Sequence, residues 1–132
     1  MISKEKTKEN TMSWHEILQR IDREIRVGTE VPKTKGGTRP VTKKMNSRIY
    51  LRTGIKTQAE KFTTIKMLRY AYNTIRINNV FKAKNLKSKF KDECKQGTCV
   101  FSMTGGILVV LKLARYDCHK KGYISVKKIK NR

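Results

Sequence analysis

Acidic residues are scarce in this chain of 132 residues: ten Asp and Glu stand against 32 Lys and Arg, a formal net charge of +22. Cysteine is scarce too. Three is an odd and small count, which excludes a disulfide-stapled secreted scaffold and fits a reducing compartment, cytoplasmic (nucleoid-associated) or nuclear. Long apolar runs are missing. The longest unbroken one is Ile107 to Leu111, far short of the ~20 residues a membrane-spanning helix needs. Residues 1–11 contain no apolar stretch of the kind a secretory leader carries, so none is expected. Apolar residues make up 37%, below the usual share of about 45–50%, so a modest core is expected. The length suits one compact domain, with an arm at most.

What is abundant is positive charge, and it is unevenly placed. Residues 1–30 hold six basic and six acidic side chains, whereas residues 31–132 hold 26 basic and four acidic ones. An excess of that size repels itself in a compact body. A polyanion relieves it, and nucleic acid is the usual one, because Lys and Arg displace condensed counterions from phosphates. A Lys-rich composition without function would raise Glu together with Lys, which is not the pattern here. An anionic membrane surface fits less well: no helix divides cleanly into a basic and an apolar half with Trp or Phe on the apolar side.

Along the chain, residues 1–12 are polar and read as a disordered tail. Ser13-Trp14-His15-Glu16 has the capping-box form and opens a neutral amphipathic helix over 13–27. Its stripe is Trp14, Ile17, Leu18, Ile21 and Ile25, which must pack on the basic body or dock a second copy or a protein partner. Residues 28–58 carry both prolines and read as a basic arm, with one short strand at Arg48 to Arg52, where Ile49 and Leu51 alternate with Arg48, Tyr50 and Arg52. From Phe62, capped by Thr63 or Thr64, the pattern becomes helical through about Ile77. Val80-Phe81 is a short extended piece, residues 83–94 a second helix, and Ser102 to about Asp117 a third, after a turn at Gln96-Gly97-Thr98. Gly122 stops it, and Tyr123 to Val126 alternate as a strand before a basic tail.

Helix, short strand, helix, turn, helix, strand is an α+β order that resembles a winged helix-turn-helix domain over roughly 62–132. The likeness is carried by Val80-Phe81, Leu86 with Phe90, Gly97, the Ser102-to-Ala114 helix and Gly122-Tyr123-Ile124. The resemblance implies a mainly helical domain over 59–132 with a small sheet, preceded by the N-terminal helix and the arm. It also implies that the third helix lies in a DNA major groove. Ser102 and Thr104, in a first turn of small residues, are then the groove contacts; Gly105-Gly106 alternatively serves only close helix packing. Lys95, Lys112, Lys127, Lys128 and Lys130 are then phosphate contacts. Arg39, beside Gly36-Gly37 and Pro40, is a further phosphate or minor-groove candidate, unless the loop folds onto its own protein.

Catalytic signals are weak. His15 and His119 are far apart, and beyond Glu30 the acids are Glu60, Asp92, Glu93 and Asp117, too few and too dispersed for a metal-dependent nuclease. Cys94, Cys99, Cys118 and His119 lack good zinc spacing; Cys94 and Cys118 fit the apolar faces of their helices, and the cysteines read as structural thiols. Trp14, Phe62, Tyr72, Phe81, Phe90 and Phe101 read as core, and Tyr50 as the candidate for an exposed aromatic at a nucleic-acid surface. The expectation is a non-catalytic protein, without cofactor or metal, that binds duplex DNA mainly through phosphates. The alternatives are an RNA-binding protein of ribosomal type, or an accessory subunit of a larger nucleic-acid enzyme docked through the N-terminal helix.

Overall fold

A computed structural model describes residues 12–54 and 59–126; residues 1–11 of the expected disordered tail and the basic stretch with Lys127, Lys128 and Lys130 lie outside the described residues. Met12, the last residue of that tail, is held by its N–H donating to Tyr72 Oη at 3.1 Å. The described chain is α+β, with four α-helices and two small antiparallel sheets. None of its helices is long and apolar enough to cross a membrane.

Helix α1 (Trp14–Glu24) starts as its sequence dictates: Ser13 Oγ accepts the Glu16 N–H and Glu16 accepts the Ser13 N–H, both at 3.1 Å. Its stripe is consumed within the molecule. Ile17, Ile21 and Ile25 are buried in the core, Trp14 is half-buried, and Leu18 alone of the five stays exposed. The expected protein or homodimer contact through this stripe is therefore corrected for Ile17, Ile21 and Ile25, which the core already covers; only Leu18 and part of Trp14 remain at the surface.

The expected arm is also corrected, because most of it is sheet. Strands β1 (Glu30–Pro32), β2 (Thr38–Met45), β3 (Arg48–Arg52) and β4 (Glu60–Thr64) form one antiparallel sheet in the order β1-β2-β3-β4. Gly36 and Gly37, both at positive φ, turn β1 into β2. The prolines suggest a loop, yet they fall at Glu30↔Pro40 and Pro32↔Thr38. Val41 and Lys33 donate across the pair on either side of these positions, so the β1–β2 ladder needs no N–H from either proline. Val31, Val41, Ile49, Leu51 and Thr63 point into the core.

Helix α2 (Ile65–Asn78) follows β4 directly. Thr64 caps it by accepting the Met67 N–H at 3.1 Å, and Asn79 ends it in the left-handed region. Phe62 and Thr63 belong to β4 instead of the helix. Strand β5 (Phe81–Lys82) leads into α3 (Ala83–Lys89), which Phe90 terminates; a 3₁₀ turn over Glu93–Gln96 replaces the rest of the expected second helix. Helix α4 spans Cys99–Val110, so it starts earlier and stops earlier than its apolar run suggests. Lys112 at φ +62° turns the chain out of it, and Ala114–Asp117 becomes strand β6, paired with β7 (Gly122–Ser125). The second sheet runs in the order β5-β7-β6.

One hydrophobic core joins both halves, and α4 lies at its centre, in contact with β1, β4, α2 and β6. Two glycines set that approach. A Cβ on Gly105 would collide with the Tyr123 ring, and one on Gly106 would lie 2.6 Å from both the Pro32 carbonyl and Val31 Cγ1. In an open helix, glycine to alanine stabilises by about 1 kcal/mol. Here the sign reverses, because overpacking costs about 1–3 kcal/mol. Gly105→Ala and Gly106→Ala are each expected to lower the urea midpoint without changing the m-value; a rise at either position would contradict the packing.

Candidate nucleic-acid interface

The residues expected to read a groove are inside the protein. Ser102 is 7% exposed and Thr104 fully buried. Both hydroxyls are satisfied on their own helix, Ser102 donating to the Cys99 carbonyl at 3.1 Å and Thr104 to the Val100 carbonyl at 2.8 Å. Thr104 also shares a 2.7 Å bond with buried Thr63 of β4. The first sheet covers the face of α4 that a groove would need, so groove contact by Ser102 and Thr104 is corrected.

Arg39 is not a free arginine on an arm either. It stands on β2, half-buried, and Nη1 donates to Ser102 Oγ at 2.9 Å. Its positive charge lies close enough to the buried Tyr123 phenol to act on it. Burial nevertheless dominates and raises that phenol well above the ordinary tyrosine range. Lys95 is exposed on the 3₁₀ turn and 3.6 Å from Asp92. Lys112 is exposed in the turn after α4, near Glu24 of α1. Of the expected contact residues that are described, Ser102 and Thr104 are interior, Arg39 is bonded to Ser102, and Lys95 and Lys112 stand on separate turns.

Two other surfaces do concentrate cations. The first is the end of the β5-β7-β6 sheet. The register Lys82↔Gly122↔Asp117 places Lys82 beside the β6–β7 turn, which carries His119, Lys120 and Lys121, with Arg115 exposed on β6. Lys82 is half-buried, and Lys120 and Lys121 are exposed. Gly122 is required at this junction, since a Cβ there would lie 2.6 Å from Val80 Cγ2 and 2.7 Å from the Phe81 carbonyl. Asp117 is the acid of this turn, and it is engaged by the backbone: Oδ1 accepts the N–H groups of Lys120 at 3.1 Å and His119 at 2.9 Å. These bonds, the Lys120 one foremost, hold its carboxyl below the ordinary range.

The second surface is the outer face of the first sheet. The pairing Tyr50↔Phe62 puts two aromatic rings side by side, centroids 5.5 Å apart, on the face opposite Ile49, Leu51 and Thr63. Neither ring belongs to the hydrophobic core. Lys43 Nζ lies 4.5 Å over the Tyr50 ring and the Arg48 guanidinium 4.1 Å over Phe62, contacts worth about 0.5–1 kcal/mol each at an exposed site. Arg52 is exposed on the same face, and Glu60, 4.0 Å from Lys43 and bonded by Thr42, is the acid at its margin. The edge strand β4 is closed by Gln96, whose amide both accepts the Phe62 N–H and donates to the Phe62 carbonyl, each at 2.9 Å. That protects a free sheet edge without covering the face.

Tyr50 was legible as an outward residue from the alternation of β3. Phe62 reads as core from sequence and proves to be its surface partner. Lys43, Lys82, Lys120 and Lys121 become functional candidates through strand register, which no local signal contains. Among the described residues no group of three His, Cys, Asp or Glu side chains is placed to hold a metal ion, and Cys94, Cys99 and Cys118 are free thiols. No family model, no curated protein and no solved structure matches this chain.

Two outcomes follow from this geometry. Because Tyr50 and Phe62 stand outside the core, Tyr50→Ala and Phe62→Ala are each expected to cost no more than about 1.5 kcal/mol in urea unfolding. Phe81→Ala, at a fully buried site, should cost about 3–5 kcal/mol. The Asp117 carboxyl, followed by NMR, is expected to titrate below the ordinary Asp value of 3.8. Since the folded state lowers its pKa, its support of the turn is complete above that value and is lost as pH falls through the lowered one.

Proposed function

We propose that this protein is a non-catalytic nucleic-acid-binding protein of winged-helix type that holds duplex DNA by its phosphates. The wing carries the contact, and no helix is inserted into a groove. The order α2-β5-α3-α4-β6-β7 with a sheet ordered β5-β7-β6 supports the winged-helix reading. The β6–β7 hairpin is its wing. The observation that carries the functional reading is the convergence of Lys82, Lys120, Lys121 and Arg115 at the wing end, none of them in an ion pair with a described acid. Backbone bonds turn the one local carboxylate, Asp117, into part of the scaffold. Cations held this way neutralise phosphates and release counterions whatever the base sequence. The exposed Lys84 and Lys87 on α3, which follows β5 directly, extend the positive field from the same sheet.

The test is a salt titration of duplex binding by the full chain. Log Kobs should fall linearly with log salt, with a slope of about −0.9 per phosphate contacted. Lys82→Gln, Lys120→Gln and Lys121→Gln should each weaken binding evenly across unrelated sequences and flatten the slope by about one. Salt-insensitive binding, or a triple variant with the wild-type slope, would overturn the reading. Structured RNA that outcompetes the duplex would reassign the partner to RNA.

A further inference from the structure

We infer that the outer face of β2–β3–β4 is a second binding site, one for single-stranded nucleic acid, with Tyr50 and Phe62 as its stacking rings. This inference concerns different residues on the other sheet and does not rest on the duplex reading.

Four observations converge. First, the two rings share one cross-strand register position on the sheet face opposite the core; both are half-buried yet outside the core cluster, so interior packing does not account for them. Second, the face carries three cations, Lys43, Arg48 and Arg52, against one acid, Glu60, which complements phosphate. Third, Lys43 and Arg48 sit over the rings on long exposed side chains. An arriving base takes the ring face, and the displaced cation is then within reach of the adjoining phosphate, so each group exchanges its cation–π partner for a partner on the strand. Fourth, the rings are inclined by 53°. A single base cannot lie flat on both, so each ring takes its own base, and the occupant is a strand whose neighbouring bases are free to turn independently. Paired bases in a duplex present only their edges, whereas an unpaired strand exposes the π-faces that such rings take up. Sequence preference is expected to be weak, since every base has a π-face.

The occupant could otherwise be an acidic protein segment, for which the cations would suffice and the flat rings would not be needed. The experiment separates the two and also separates this site from the wing. The full chain is titrated by fluorescence anisotropy against three labelled probes: a 15-nucleotide oligodeoxythymidine, a blunt-ended duplex, and poly-glutamate of comparable charge. Tyr50→Ala/Phe62→Ala should weaken oligodeoxythymidine binding roughly 10-fold or more while changing duplex binding less than about 2-fold. Tyr50→Leu/Phe62→Leu, which keeps apolar bulk on the sheet without a flat face, should show the same loss; this keeps the test decisive if the alanine pair unfolds. Tyr50→Phe should bind as the wild type. Glu60→Gln, which removes the one repulsive charge, should tighten the oligodeoxythymidine complex by about 2- to 3-fold. In the converse control, Lys120→Gln/Lys121→Gln should weaken the duplex complex and leave the ring contribution intact. Oligodeoxythymidine binding that is absent, or unchanged by both double variants, overturns the inference while duplex binding still stands or falls separately. Poly-glutamate binding that is as tight and equally ring-dependent overturns it in favour of an acidic peptide.

Discussion

The fold depends on one constraint, the burial of α4 on several sides at once. The helix Cys99–Val110 bears no charged side chain, and from Ser102 to Leu108 every residue is buried. Such a helix must be wrapped, not merely docked by one face. β6, β7 and α2 supply one wall and β1 with β4 the other. Gly105 and Gly106 let both walls come close, the first towards the Tyr123 ring and the second towards the β1 backbone. The N-terminal sheet is thus part of the same hydrophobic core as the C-terminal half, and α1 closes it through Ile17, Ile21 and Ile25.

That constraint also decides which surfaces remain open. A positively charged protein of winged-helix order would ordinarily be expected to use its third helix on DNA, and here the helix is a structural pillar. The covering sheet presents an outer face with Tyr50, Phe62 and three cations, while the β6–β7 hairpin carries exposed Lys120 and Lys121 at the end of the other sheet. Positive charge is then split between two surfaces of different chemistry. One suits phosphates alone and the other suits phosphates together with exposed bases.

Local signals were legible where one residue answers for itself. Ser13 and Thr64 cap helices because their oxygens reach an orphan N–H three residues on, and the Arg48–Arg52 alternation declares a half-buried strand. Ser102 and Thr104 misled for an equally physical reason. A small hydroxyl in a helix can donate to a carbonyl three or four residues back, as both do, so its polarity does not require water. The prolines misled because a strand tolerates proline at non-hydrogen-bonded positions, and sequence does not reveal which positions those are. The run from Ile107 to Leu111 continues a helical pattern into residues that turn and pair as β6, since an apolar run has no period to show where it ends.

The sequence by itself determined the charge excess beyond Glu30, the α+β class, the existence of the helices in the C-terminal half, the caps at Ser13 and Thr64 and the outward aim of Tyr50. These depend on composition or on neighbours within one turn. Tertiary structure alone decided that α4 is interior, that residues 28–54 are largely sheet, and that Phe62 joins Tyr50 while Lys82 lies beside the β6–β7 turn. Each of those outcomes is a pairing between segments distant in the chain. Such pairings are chosen by which surfaces can bury one another and by strand register, and neither quantity is a property of a single segment.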